Sequence, residues 1–133
     1  RDIPIASKSN ELRDFVKYCR DNDIQVLFLE MPSFSSWTYA RHNAVQDLAD
    51  ELGVEFLDLN FKYEDIGISV TDCFRDWGNH LNYYAACKVT NYVGAYIRDN
   101  YGISDRRNEP EVAQYWNDEV ARFKEINLSN VER

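Results

Sequence analysis

The sequence predicts an α/β domain built on a parallel sheet, and three observations lead there. Two short apolar runs, residues 24–29 (IQVLFL) and 54–57, have the composition of strands buried on both faces. Each follows a segment whose apolar residues recur at helical spacing. The resulting order is helix, strand, helix, strand, loop, helix, helix. Such alternation gives parallel strands joined by right-handed crossovers. A length of 133 residues fits one domain or part of one.

The elements follow in order. Ser9 is a suitable N-cap for a helix over 10–21, where Leu12, Phe15, Val16 and Cys19 share a face. Asp21-Asn22-Asp23 ends it, the first strand follows, and Met31-Pro32-Ser33 breaks that strand. Residues 33–36 read as a loop. Residues 37–52 read as a helix with Val45, Leu48, Ala49 and Leu52 on one side, and Gly53 is placed to stop it. The second strand runs into Asp58-Leu59-Asn60. Residues 61–74 are expected to form a long loop with one short ordered piece. Residues 81–101 carry a helical stripe of Ala85, Val89, Tyr92, Val93, Tyr96 and Ile97, closed by Gly102. A last helix over 108–126 has Glu109, Pro110 and Glu111 in its first turn and a stripe of Val112, Trp116, Val120 and Phe123. It is expected to pack on its own domain. Two strands make a thin sheet, since about four to six are usual. Either a third lies in 66–70, or the sheet continues in residues outside this chain; the second is the expectation.

Composition narrows the functional classes. The chain is 44% hydrophobic and 14% aromatic, enough for a packed core. Its formal net charge of -8 and pI near 4.7 argue against nucleic acid or an anionic membrane surface as a partner. The one adjacent basic pair, Arg106-Arg107, has Asp105 and Glu109 close by. Cys19, Cys73 and Cys87 show neither a disulfide framework nor zinc spacing. Cys19 and Cys87 are expected as buried or half-buried side chains within helices. No apolar run is long enough to span a bilayer, so no membrane insertion is expected, and no signal peptide is visible.

Chemistry concentrates in Phe74-Arg75-Asp76-Trp77-Gly78-Asn79-His80-Leu81-Asn82-Tyr83-Tyr84. This stretch places an acid and an imidazole on one short turn before a helix. An imidazole can take the proton of a serine hydroxyl as it attacks, and a carboxylate fixes the imidazole's tautomer. Asp76 and His80 are the candidate catalytic residues.

From His80-Leu81-Asn82 through Tyr92, the sequence resembles the His-Leu-Asn branch of the SGNH (GDSL-type) hydrolases. The two strands with their following loops also resemble the second half of that domain, so the resemblance covers about residues 10–100. It implies a three-layer α/β/α flavodoxin-like fold with a parallel sheet, incomplete in this chain. Residues 1–103 would form the C-terminal portion of the domain, and 104–133 a helical extension. It implies a serine esterase with His80 as general acid and base and Asp76 as its orienting partner, needing no cofactor or metal. The implied substrate is a small acyl ester, such as an acetylated carbohydrate. Two departures stand out. Three residues separate Asp76 from His80, one more than the family's usual two, with Asp72 a more distant substitute. No Gly-Asp-Ser block occurs, so the nucleophile is expected upstream or on a separate piece, and this chain alone is expected to be inactive. Pairing with that missing half, or homo-oligomerisation, are the assemblies in view.

Other residues read more plainly. His42 is expected as an exposed helix histidine. Ser33, Ser35 and Ser36 follow a strand end, where α/β sheets bind ligands, but none sits in a Gly-x-Ser-x-Gly elbow. Trp37 and Tyr39 suit a cleft or a core equally. Asp58 and Asn60 are expected to hold the loop before His80. The competing readings are a non-catalytic module keeping the SGNH shape, and an assembly protein recruiting a partner through the Trp116/Phe123 helix.

Overall fold

The computed structural model describes residues 9–71 and 73–127, and over these it is a mixed α/β structure, mostly helical. Helix α1 (Ser9–Asp21) buries Val16 and Cys19. Its end explains why the first strand starts later than its apolar run. Asp23 takes a left-handed φ of 55°, and the Ile24 N–H turns back to the Cys19 carbonyl at 2.8 Å. Ile24 therefore belongs to the helix cap, and strand β1 is Leu27–Glu30.

Helix α2 (Tyr39–Leu52) links β1 to β2 (Glu55–Asp58). The strands pair in parallel, from Leu27 opposite Glu55 to Glu30 opposite Asp58. The helix begins two residues later than its pattern suggests, because the Thr38 hydroxyl accepts from the Arg41 N–H and makes Thr38 the N-cap. Trp37 is thereby left outside the helix. Gly53 ends α2 at φ 60°, as its position in the sequence implied. Arg13 holds both carboxylate oxygens of Glu51 at 2.7 and 2.8 Å, tying α1 to α2.

After β2 come a 3₁₀ turn (Leu59–Phe61) and the short helix α3 (Tyr63–Ile66). Residues 66–70 form no strand. The remaining strands are a separate antiparallel pair, β3 (Phe74–Arg75) and β4 (His80–Leu81), joined through a 3₁₀ turn (Asp76–Gly78). Helix α4 (Tyr83–Tyr101) thus starts two residues after the predicted 81. Asn82 is the reason: its side-chain oxygen accepts from the Ala85 N–H at 2.9 Å as a cap, which leaves His80 and Leu81 free to pair as a strand.

Leu59, Val16 and Val89 are the largest fully buried side chains, and each contributes about 1.5–3 kcal/mol of burial. Leu48, Ala49, Leu57, Ile66 and Ala85 join them in the core. Cys19 and Cys73 are buried, whereas Cys87 is exposed on α4, contrary to the expected half-burial. The chain forms two compact units, residues 1–94 and 95–133, divided within α4. The second unit contains α5 (Pro110–Asn127), in which no residue is buried.

Candidate functional site

The predicted acid and base meet on the β3–β4 hairpin. Pairing of Arg75 with His80 fixes the two ends of the turn. Between them Asp76, Trp77 and Gly78 all adopt positive φ, at 51°, 59° and 94°. Left-handed backbone costs a residue with a Cβ roughly 1–2 kcal/mol, so Asp76 and Trp77 are held there by their surroundings. The curl folds the Asp-x-x-x-His stretch back on itself. It brings Asp76 Oδ2 to 2.7 Å from His80 Nδ1, with Asn79 Nδ2 at 3.3 Å from the same nitrogen. Both side chains face water, at 68% and 64% exposure for His80 and Asp76, so solvent screens the pair and it adds little stability. Asp72, the alternative acid, lies outside the described residues.

The loop after β1 is what grips this turn. The Gly78 carbonyl accepts from the N–H groups of Phe34 (2.8 Å) and Ser35 (3.2 Å). A Cβ on Gly78 would lie 3.1 Å from the Phe34 ring, so the close approach requires glycine as much as φ does. Ser33 Oγ shares a hydrogen bond with Ser36 Oγ and lies 3.5 Å from Asn79 Oδ1. The 33–36 loop and the turn that carries His80, far apart in sequence, thus adjoin through Gly78 and Asn79. None of Ser33, Ser35 and Ser36 hydrogen-bonds His80 itself.

A second acid–imidazole pair lies behind the loop, and the sequence reading missed it. His42 is not the exposed histidine expected: its side chain is 21% exposed, and Nδ1 sits 2.8 Å from Asp58 Oδ2. Trp37 Nε1 donates to the same oxygen at 2.7 Å, while the backbone and side-chain nitrogens of Asn60 donate to Asp58 Oδ1 at 2.9 and 2.8 Å. Asp58, 3% exposed, is therefore satisfied on both oxygens. Asn60 in turn accepts from the Ser33 N–H at 2.8 Å and donates to the Met31 carbonyl at 3.3 Å. Asn60, anchored by Asp58, thus holds the start of the loop after β1, which in turn grips the histidine turn; the expected direct hold on the loop before His80 is not what these bonds make. The missed signal was the 42, 45, 49, 52 spacing, which puts His42 on the buried face of α2.

Electrostatics follow the geometry. Burial, then the Asp58 charge, raises the Glu30 carboxyl, with Arg41 partly offsetting them. The same two causes raise the Tyr63 hydroxyl, which also reaches Asn60 Oδ1 at 3.4 Å.

Two hollows of about 350 Å³ each flank this arrangement. One is walled by Trp37, Tyr39, His42, Phe61 and Tyr63, the other by Phe74, Asp76 and Trp77. Phe34 and Val70 border both. Trp77 is 99% exposed beside the Asp76–His80 pair. Among the described residues no group of three or more His, Cys, Asp or Glu side chains is placed to hold a metal ion, and no helix is long and apolar enough to cross a membrane.

Compared with protein-family models, curated proteins and solved structures, the chain matches none.

Proposed function

We propose that this chain carries the acid–base half of an SGNH-type serine esterase. It would supply the later part of a three-layer α/β/α domain whose nucleophile lies upstream. The supporting observation is the 2.7 Å hydrogen bond in which His80 Nδ1 donates to Asp76 Oδ2. A ring held that way keeps Nε2 for proton transfer. His80 Nε2 takes the proton of a serine hydroxyl as its oxygen attacks the ester carbonyl. It then hands that proton to the departing alcohol, and water repeats the cycle to free the acid. The substrate class is a small acyl ester, with an acetyl group on a carbohydrate as the case the resemblance implies.

Full-length protein, including the residues before Arg1, is expected to hydrolyse p-nitrophenyl acetate and to be labelled at a serine by a fluorophosphonate. His80→Ala should lower kcat by about 10²–10⁴-fold, the usual worth of a positioned general base. Residues 1–133 alone should be inactive. Full-length protein with neither turnover nor labelling would sink the proposal. That result would favour the second reading, a non-catalytic module, to which the high exposure of Asp76 and His80 gives some support.

A further inference from the structure

The hollow beside His42 has a chemistry separate from the Asp76–His80 pair. Asp58 accepts at both oxygens from His42 Nδ1, Trp37 Nε1 and Asn60, so it has no role left for a ligand. With Nδ1 committed as a donor, a neutral imidazole presents Nε2 as an acceptor. Among the described residues Nε2 has no hydrogen-bond partner, yet no buried side-chain nitrogen or oxygen is left unsatisfied. Nε2 is therefore open to solvent, on a residue that lines the hollow.

The walls define what could fill it. Tyr39 (76% exposed), Phe34 (59%) and Phe61 (51%) leave large apolar faces uncovered around the same space. Phe61 meets the His42 ring edge-on at 4.7 Å and Tyr39 at 5.8 Å, so these rings form one continuous aromatic surface. No Lys, Arg, Asp or Glu lines the hollow, so an ionised ligand would find no counter-charge. Polar partners are few: the side chains of Asn60, Thr38, Tyr63 and Ser33 each already make a hydrogen bond within the protein. A sugar ring, with a hydroxyl on most carbons, would leave several of them unpaired on these walls. At about 350 Å³ the hollow is near the lower end of ligand pockets, sized for one ring.

We propose that this hollow is a binding site for a neutral, flat, mainly apolar ligand bearing one hydrogen-bond donor, of the phenol class, whose hydroxyl donates to His42 Nε2. The site does not depend on the esterase reading, and its test involves no turnover.

The test is a titration of the protein with four probes, followed by the ¹⁵N resonances of the His42 ring. p-Cresol is expected to shift Nε2 and to bind roughly 2–10-fold tighter than toluene, the worth of one neutral hydrogen bond. Methyl glucoside and benzoate should each bind at least about tenfold more weakly than p-cresol, lacking respectively enough polar partners and a counter-charge. His42→Phe should erase the difference between p-cresol and toluene. Because that variant also removes a donor from Asp58, Tyr39→Ala provides a second check on an exposed residue. It should weaken both aromatic probes alike and leave the fold intact. The proposal is overturned if p-cresol leaves Nε2 unmoved, if toluene binds as well as p-cresol, if methyl glucoside or benzoate binds more tightly, or if Tyr39→Ala has no effect.

Discussion

Asp58→Asn tests whether the buried carboxylate holds this part of the chain together. The Asp58 side chain is 3% exposed and accepts from four donors between 2.7 and 2.9 Å. An asparagine of the same shape must turn its NH₂ toward two of them. If it faces the Oδ2 partners, His42 can move its proton to Nε2 and accept at Nδ1, but the Trp37 indole is only ever a donor. One indole N–H then loses its acceptor, at about 1–3 kcal/mol. If the amide turns the other way, the Asn60 backbone N–H loses its acceptor and the Asn60 side-chain nitrogen keeps only the Met31 carbonyl. The surviving bonds also lose the help of the carboxylate charge, bringing the expected loss to about 3 kcal/mol, within reach of one orphaned buried donor plus weakened charge-assisted bonds. With a urea slope of about 2 kcal/mol/M, the unfolding midpoint should fall by roughly 1.5 M, followed by far-UV circular dichroism. Asp76→Asn is the control. Its pair is of the same kind but 64–68% exposed, so it should cost less than about 1 kcal/mol. Equal losses for the two variants would refute the reasoning, because burial would then not be what gives the Asp58 pair its weight.

Three further outcomes are expected. Gly53→Ala and Gly78→Ala both force a Cβ into left-handed backbone, so each should lower stability by about 1–2 kcal/mol in urea titrations. Only Gly78→Ala also pushes on the Phe34 ring, since nothing lies within 4 Å at Gly53, and only it should shift the Phe34 and Ser35 amide resonances. The Glu30 carboxyl is raised in the fold, so the native state binds that proton more tightly than the unfolded chain does. Its contribution to stability is therefore present below the ordinary value of 4.5 and lost as pH rises through the raised one. Glu30→Gln should remove that fall, seen as a flatter unfolding free energy between mildly acidic and neutral pH; an unchanged slope would count against it.

The helices and the parallel pair were legible because each announces itself locally. The apolar run before Glu30 and the Gly53 stop needed no distant partner to be read. The boundaries that moved were set by single side chains competing for backbone: Thr38 and Asn82 each capped a helix later than the apolar pattern suggested. His42 was misjudged for a different reason. Its position on the buried face of α2 was visible, but the carboxylate that receives it comes 16 residues later, at the end of a strand. The contact between the 33–36 loop and the His80 turn spans more than 40 residues and left no local trace. Asp76 and His80 could be paired on paper. Three successive left-handed residues, two with side chains, could not be foreseen there.

The shared Gly78 carbonyl also makes two distant amides into reporters of the histidine turn. Phe34 and Ser35 both donate to that one oxygen, so a lifting of the turn frees both N–H groups in the same event. Their hydrogen-exchange rates should then share one opening free energy and respond together to any change near His80. Excursions of the turn can thus be timed from a loop on the other side of the chain, with no probe placed on Asp76 or His80.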